Sequence, residues 1–399
     1  MNKADNLASA AGQSHSSPSS VDLLIVGGGV MGLWAAVKAE RLGLKTLLVE
    51  QNFLGQGASG GLIGALMAHM PDRWSEKKQF QFDALVALEA EIAELEAATG
   101  FSAGYRRCGR IIPLPKPHLR DIALRHEQDA KTNWMRDGRQ FHWHVLDAPP
   151  VAGYLADASM AGGFVHDTLA ARMSPRSMGR ALSAFLKTAQ NVTVVEGVGV
   201  SSLDPDRAQA TLSTGETVSF GHVIVSAGCQ SFPLLQQSLN LVGAAPLGQP
   251  VKGQSALMKA DIDPAMPVLF LGGLYVVPHD DGMVAVGSTS EESFSEPFTT
   301  DAQLDVFIEK ARNLVPALGN AEVVERWAGL RPKAIDRDPM VGSLPEHPRL
   351  VALTGGFKVS FGLAHRLADA ALSVVQGIEP KLPQSFLLES HIAVATKSS

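Results

Sequence analysis

A glycine-rich segment near the start of the chain has the residue types of a phosphate-binding turn. Gly27, Gly29 and Gly32 fill the glycine positions of the pattern G-x-G-x-x-G, with Val30 and Met31 between the last two. The first glycine permits a tight turn, the second lets the backbone approach a pyrophosphate, and the third lets helix and strand pack closely. A helix starting at this turn directs N–H groups and partial positive charge at the phosphates. The spacing therefore predicts a dinucleotide site.

An acidic residue follows at the distance expected for a ribose ligand. Glu50 lies 18 residues after Gly32, close to the roughly 20-residue spacing of the dinucleotide-binding fingerprint. Its carboxylate can accept hydrogen bonds from both ribose hydroxyls and repels a 2′-phosphate. The surrounding pattern fits, since residues 22–26 and 45–49 predict buried strands and residues 34–42 predict a helix. The fingerprint alone does not separate FAD from NAD.

An arginine near the other end of the chain is a candidate carboxylate ligand. Arg331 stands between Leu330 and Pro332 at the end of an apolar strand, where an unpaired guanidinium is costly to bury. Its fork of N–H groups matches a carboxylate in two parallel hydrogen bonds. An internal ion pair with Asp336 or Asp338 is the alternative interpretation.

The elements that must position these residues include strands at both ends of the chain. Residues 350–356 predict a strand running into glycines, and residues 363–375 predict the helix that follows. Glycines at both a first and a last strand-to-helix turn suggest two backbone contacts with one long ligand. Residues 275–278 and 283–287 predict a hairpin around the turn at residues 280–282, which indicates an antiparallel sheet.

Composition and charge exclude several classes of protein. The 399 residues suffice for two or three domains, and 45% hydrophobic with 19% charged residues is typical of a globular chain. A net charge of −6 lacks the footprint of a nucleic-acid binder. Two cysteines cannot build a disulfide framework, so we expect a reducing, cytoplasmic location. Residues 1–20 predict a disordered tail without a secretory signal, and no later window predicts a transmembrane segment.

Seven segments together resemble the FAD-dependent D-amino-acid oxidase family, in the order and spacing of its glycine oxidase branch, with the sarcosine oxidases as cousins. The resemblance covers about residues 21–375. Its segments are VDLLIVGGGVMGLWAA, GQGASGGLIGALMAH, HVIVSAGCQS, PVKGQ, LYVVPHDDGMVAVGST, RWAGLRPKAIDRDPMVG and LTGGFKVSFGLAHRLAD.

The resemblance implies an α/β fold, with a Rossmann-type FAD-binding domain and a second, α+β substrate domain built on an antiparallel sheet. The FAD-binding domain would combine residues 21–90, 150–235 and 325–385. The substrate domain would combine residues 91–149 and 236–324, leaving residues 386–399 as a C-terminal tail.

The resemblance also implies a set of FAD-binding residues. Glu50 would hold the adenosine ribose, and the Gly356–Phe361 loop would face the N1–C2=O edge of the flavin. Because Cys108 and Cys229 are the only cysteines and neither is late in the chain, we expect non-covalent FAD. The remaining implied residues are Gln51, Ala58, Ser59, Gly60, Gly61, Val200, Ala227, Gly228, Gly356, Phe357, Lys358, Val359, Ser360 and Phe361.

Four residues are the implied substrate ligands. Arg331 would bind the amino acid's carboxylate, and Tyr275 either contacts that carboxylate or is a half-buried strand aromatic. Lys358 replaces the arginine common in glycine oxidases, which disfavours glycine itself as the substrate. It would meet a substrate acid, the flavin or oxygen, or reach solvent as a surface lysine. His69 matches a family histidine near the entrance, with a structural or a chemical role.

The implied activity is FAD-dependent oxidative deamination of an amino acid or secondary amine. Hydride would pass from the α-carbon to flavin N5, and the imine would hydrolyse; dioxygen or another acceptor would reoxidise the flavin. The alternatives are a dehydrogenase subunit acting on opines or D-amino acids with a non-oxygen acceptor, and a non-catalytic FAD-binding subunit. A homo-oligomer or a partner subunit is compatible with the sequence. No metal site is predicted, since His142 and His144 have no third ligand placed by the sequence.

Overall fold

The computed structural model describes residues 18–156 and 160–397, so most of the predicted disordered segment, residues 1–17, lies outside the described residues. The strands are β1 (Ser20–Val26), β2 (Thr46–Glu50), β3 (Ala65–Leu66), β4 (Arg110–Pro113), β5 (Met135–Arg136), β6 (Arg139–Gln140), β7 (Trp143–Leu146), β8 (Phe164–Asp167), β9 (Ala171–Arg172), β10 (Val192–Glu196), β11 (Val200–Asp204), β12 (Gln209–Leu212), β13 (Thr217–Val225), β14 (Gly248–Lys259), β15 (Val268–Leu271), β16 (Leu274–Pro278), β17 (Met283–Gly287), β18 (Glu322–Ala334), β19 (Met340–Leu344) and β20 (His347–Thr354). The helices are α1 (Val30–Arg41), α2 (Glu76–Thr99), α3 (His118–Asn133), α4 (Pro175–Lys187), α5 (Ser231–Ser238), α6 (Ala302–Leu314), α7 (Ser360–Val375) and α8 (Leu388–Lys397).

The first sheet has a core of parallel strands in the order β10-β2-β1-β13-β20. Residues 23–26 of its central strand β1 are apolar, because both faces of the strand are buried there. Leu23 and Ile25 pack with residues of α1, α4 and α7 on one face. Leu24 and Val26 pack with residues of α5 and α8 on the other. This arrangement is the predicted Rossmann-type layer.

The second sheet contains eight strands in the order β18-β14-β17-β16-β15-β4-β8-β7. Neighbouring strands are antiparallel except for β15 and β4, which run parallel. Met258 and Val286 on one face pack against Leu304 and Ile308 of α6. Residues on the opposite face, such as Tyr275 and Trp327, line a cavity together with Gly27 and Gly29 of the turn after β1. A Rossmann-type layer joined to this largely antiparallel sheet is the predicted fold class.

Sheet membership does not follow the predicted domain boundaries everywhere. Strands β8 and β18 belong to the second sheet, although the boundaries placed residues 150–235 and most of β18 in the FAD-binding domain. Strand β8 joins the second sheet by pairing with β4, and β18 joins it by pairing with β14. Pairing between segments far apart in the chain cannot be predicted from the local sequence pattern. The segment assigned to a C-terminal tail contains helix α8, whose His391 is buried with Nε2 3.2 Å from the Pro339 carbonyl oxygen. Among the described residues, no helix has the length and apolar character that crossing a membrane requires.

Candidate active site

The turn between β1 and α1 is shaped by close backbone contacts. Gly27 has a φ of 104°, and a Cβ there would lie 2.7 Å from the backbone of Ser226 and Ala227. A Cβ on Gly32 would lie 1.9 Å from the Gly27 carbonyl oxygen. The turn can therefore form only with glycine at these two positions.

Gly29 is different, because no backbone atom of the described chain excludes a Cβ from it. Its φ of −73° suits any residue, and a Cβ would meet only Ser59 Oγ, at 3.3 Å. The missing side chain leaves the backbone open toward a cavity at the N-terminus of α1. An open backbone at a helix N-terminus is what a pyrophosphate group requires, so the residues present fit a dinucleotide such as FAD.

Glu50, at the end of β2, is held in position by the backbone on both sides. Its Oε2 accepts a hydrogen bond from the Gly28 N–H at 2.7 Å, and its Oε1 accepts one from the Asn52 N–H at 2.9 Å. An ionised carboxylate has about four acceptor positions. Each oxygen therefore retains capacity for a ribose hydroxyl.

A cavity of about 780 Å³ runs between the two sheets, past the first turn and the loop before α7. It brings together segments more than 300 residues apart in the chain. The predicted residues that line it are Gly27, Gly29, Val30, Met31, Glu50, Gln51, Ala58, Ser59, Gly61, His69, Val200, Ala227, Gly228, Tyr275, Arg331, Phe357, Lys358, Val359, Ser360 and Phe361.

Three predicted cofactor residues do not line this cavity. Gly32 packs directly against the Gly27 carbonyl oxygen, where a Cβ would clash. Gly60 borders a second cavity instead, and its carbonyl oxygen accepts a hydrogen bond from Arg176 Nε at 2.9 Å. A Cβ on Gly356 would lie 2.3 Å from Met31 Cε, so this glycine stands behind the cavity wall. All three glycines pack around the first cavity, and none of them lines it.

The loop before α7 places a helix N-terminus at the cavity. Val359, Ser360 and Phe361 all line it where the helix begins. A helix N-terminus carries partial positive charge and stabilises negative charge nearby. The loop therefore fits the predicted flavin edge, at which negative charge develops on reduction.

The Arg331 side chain is aimed and held at the far end of the same cavity. Its Nη1 donates to the Thr289 carbonyl oxygen at 3.1 Å, and its Nη2 donates to Ser288 Oγ at 2.9 Å. The guanidinium lies over Gly253 of the neighbouring strand β14, where a Cβ would be 2.0 Å from Nη1. No carboxylate of the described residues forms an ion pair with it. The alternative pair with Asp338 is absent, because Asp338 binds Lys77 at 2.8 Å.

Tyr275 on β16 presents a hydroxyl group to the same region. Within the described chain this hydroxyl has no hydrogen-bond partner, although the side chain lines the cavity. Burial raises the pKa of Tyr275 while Arg331 opposes that shift. The phenol therefore stays protonated at neutral pH and can donate a hydrogen bond to an anion bound near Arg331.

Lys358 retains an exposed side chain that lines the cavity. Its Nζ lies 5.4 Å from the centroid of the Phe357 ring, and it forms no ion pair with any described residue. Partial burial lowers the pKa of Lys358, and the nearby Arg331 guanidinium lowers it further. Two cations thus share one end of the cavity.

His69 lies on the cavity wall beside Gln81, whose Oε1 accepts a hydrogen bond from the His69 backbone N–H at 2.7 Å. Partial burial, with Lys78 and Lys77 nearby, lowers the pKa of His69. The imidazole is therefore neutral at pH 7. Its ring has no hydrogen-bond partner among the described residues, and the geometry assigns it no chemical role.

Sequence reasoning missed several residues that line the cavity near Arg331. Trp327 shares a face of β18 with Arg331, since residues four apart in a strand point the same way, and that spacing could have revealed it. Ser255 is placed beside them by strand pairing with Trp327. Ser288 and Phe298 also line the cavity, but no local pattern links them to Arg331.

The fold and this cavity together define a class of protein, an oxidoreductase that binds FAD between a Rossmann-type layer and a second sheet. The chain belongs to the DAO family of FAD-dependent oxidoreductases, which matches residues 22–370. It is 27% identical over 374 residues to the glycine oxidase of Pseudomonas aeruginosa, covering 90% of this chain and 95% of that relative. The glycine oxidase of Pseudomonas putida is 28% identical over 373 residues, covering 90% and 96%. The crystal structure of glycine oxidase from Geobacillus kaustophilus superposes with a TM-score of 0.82 at 22% identity, covering 93% of this chain and 99% of that one.

These comparisons confirm the predicted family, the fold class and the cofactor FAD. They also confirm the predicted class of enzyme and reaction, FAD-dependent oxidative deamination of an amino acid or amine. The alternative of a dehydrogenase subunit is not favoured by them.

Proposed function

We propose that this enzyme oxidises a free amino acid whose carboxylate is bound by Arg331. The observation that carries the proposal is a guanidinium held by Ser288 and Thr289 at the cavity, without a carboxylate partner in the described chain. Leaving such a charge unpaired is costly, and a substrate carboxylate removes that cost. The protonated Tyr275 hydroxyl supplies a further donor.

Bound FAD supplies the oxidant by accepting a hydride from the substrate carbon that carries the nitrogen. The protein's task is orientation, because two hydrogen bonds from Arg331 fix the carboxylate and hence the adjacent carbon. The substrate amine is neutral when it reacts, and loss of the hydride leaves a protonated imine. Water then converts the imine to an oxo acid and ammonia, or an amine. No side-chain acid or base is required, which agrees with the neutral and unpartnered His69.

We propose dioxygen as the electron acceptor, with hydrogen peroxide as its product. The similarity to glycine oxidases supports both an amino acid substrate and an oxidase activity. The free cysteines Cys108 and Cys229 support a reducing, cytoplasmic location. A homo-oligomer or a partner subunit remains compatible with this proposal, since the activity needs only the cavity of one chain.

The Arg331→Ala variant tests the carboxylate role. It should keep the flavin absorbance spectrum and lower kcat/KM by on the order of 100-fold, the scale for removing one partner of a buried charged pair. Arg331→Lys should recover only part of the loss, because the fork is absent. Anaerobic flavin reduction by glycine, sarcosine and D-alanine first identifies the fastest substrate. The value of kcat/KM is then measured with that substrate for each variant.

The matched control is Arg125→Ala, an exposed arginine of α3 that lines neither cavity. It should behave as the unaltered enzyme. Unchanged kcat/KM in Arg331→Ala would contradict the proposal, as would a failure of every amine and amino acid to reduce the flavin.

A further inference from the structure

The substrate end of the cavity has more positive charge than one carboxylate neutralises. Arg331 and Lys358 both line it, and neither forms an ion pair with a carboxylate of the described residues, although Glu291 acts on Arg331 at longer range. Among the lining residues the only carboxylate is Glu50, which lies at the other end beside the first glycine turn and accepts hydrogen bonds from Gly28 and Asn52. The described residues therefore supply no ion-pair partner for either cation at this end of the cavity.

Resting on the function proposed above, we propose that the preferred substrate is an amino acid with a second acidic group. Arg331 binds the carboxylate next to the reacting carbon, and Lys358 binds the second group, a carboxylate or a phosphonate. The chemistry of the two cations fits this division. The guanidinium fork is fixed and suits bidentate binding, whereas an ammonium on a flexible stem adapts to a group at variable distance.

Lys358 is not required to neutralise the flavin. The N-terminus of α7 already faces the cavity through Val359, Ser360 and Phe361, and it supplies partial positive charge to that edge. The Arg331 guanidinium also lowers the pKa of Lys358, so the two cations are close enough to interact. A dianionic substrate relieves that repulsion.

A second cavity of about 1150 Å³ supports the same substrate class. It adjoins the first, because residues such as Gln56, Phe298 and Trp327 line both. The Trp327 ring forms the wall between them, packed so that a Cβ on Gly61 would lie 3.4 Å from it. Phe298 and Trp327 join this second cavity, a groove, to the Arg331 end, whereas Asn52, Gln56 and Gly57 join it to the end that holds Glu50.

Every charged residue that lines the groove is a cation: Arg176, Arg180 and Lys187, all from helix α4. Arg176 is neutralised by Glu325, with N–O distances of 2.8 and 2.6 Å. Arg180 and Lys187 are exposed and form no ion pair among the described residues. A local positive potential on a chain of net charge −6 concentrates anions at this mouth.

Matched substrate pairs test the role of Lys358. Aspartate and asparagine, in both D and L forms, differ by a charge at nearly constant shape, and iminodiacetate and sarcosine differ by an N-linked carboxylate. N-(phosphonomethyl)glycine extends the series to a phosphonate. In at least one pair the diacid should show roughly 10-fold higher kcat/KM, and Lys358→Met should reduce that ratio by about 10-fold or more. Lys358→Arg should restore most of it.

The outcomes separate this inference from the function on which it rests. If no compound reduces the flavin, both fail. If the neutral member of every pair reacts as well as the diacid, in an Arg331-dependent way, only the dianionic substrate is wrong. If Lys358→Met leaves the ratio unchanged and slows flavin reoxidation, Lys358 serves oxygen chemistry and the inference is overturned.

The groove is tested with the double variant Arg180→Gln/Lys187→Gln. It should lower kcat/KM for the preferred diacid several-fold at low ionic strength, and the difference should vanish near 0.5 M salt, where screening shortens the reach of charge to roughly 4 Å. Arg125→Gln/Lys131→Gln on α3 makes the same change in net charge away from both cavities and should have no effect. Equal loss in the two double variants would overturn the steering role.

Discussion

Arg331 and Lys358 differ in how firmly the protein holds them. Arg331 donates hydrogen bonds to Thr289 and Ser288, so little ordering remains when a carboxylate binds. Lys358 has no such restraint among the described residues. At the scale of single residues, our proposal therefore gives the fixed Arg331 the orientation of the reacting carbon, and gives Lys358, which forms no hydrogen bond with a described residue, the selection of the rest of the substrate.

The charge on Lys358 makes the substrate preference depend on pH. Partial burial and Arg331 lower the pKa of Lys358, so its charge is present at low pH and is lost as pH rises through a value below that of an ordinary lysine. The ratio of kcat/KM for aspartate over asparagine should therefore be high at low pH and fall as pH rises, before the range in which an ordinary lysine loses its charge. Lys358→Arg should show a flat ratio, because its guanidinium stays charged. A ratio that is flat in both enzymes would contradict the assignment.

At the scale of elements, the pairing of β14 with β18 creates the space for Arg331. The register places Gly253 opposite Gly329, two residues before Arg331, and the guanidinium crosses over Gly253. The side chain on one strand is thus accommodated by a missing side chain on the next.

The Gly253→Ala variant should displace Arg331 without unfolding the sheet. Its Cβ would lie 2.0 Å from Nη1, and the end of a long side chain moves more easily than a strand. We expect normal FAD content and a fall in kcat/KM of at least roughly 10-fold, carried mainly by KM. Steady-state kinetics with flavin quantification checks this, and an unchanged KM would show that Arg331 is aimed differently.

At the scale of the whole molecule, FAD binding depends on segments that are close only in the folded chain. The cavity takes walls from the β1–α1 turn, from the loop before α7 and from the second sheet. A ligand held by all of them binds the folded state and not the unfolded one, so it stabilises the fold by mass action.

Removing FAD should therefore lower Tm, and adding it back should restore the value. At about 100 times its Kd, FAD should contribute about 2.7 kcal/mol. The Glu50→Ala variant, which loses hydrogen bonds to ribose, should bind FAD more weakly by about 1–3 kcal/mol and show a smaller rise in Tm at equal FAD. NAD serves as the control ligand and should leave Tm unchanged; an equal rise with NAD would contradict FAD selectivity.

The sequence by itself determined the parts of this protein that depend on neighbouring residues. The glycine turn, the apolar strand before it and Glu50 at the end of β2 all follow from local spacing, and the hairpin of β16 and β17 does as well. Short-range sterics and burial on both faces dictate these patterns, so they are visible without a structure.

Only the tertiary structure decided what surrounds Arg331 and Lys358. The absence of ion pairs to them among the described residues, the packing of Arg331 over Gly253 and the cationic groove beside Trp327 arise from segments far apart in the chain. Strand pairing and sheet-to-sheet contact bring those segments together. The physical reason is that an ion's partner and a side chain's free space are set by long-range packing, which no local periodicity records.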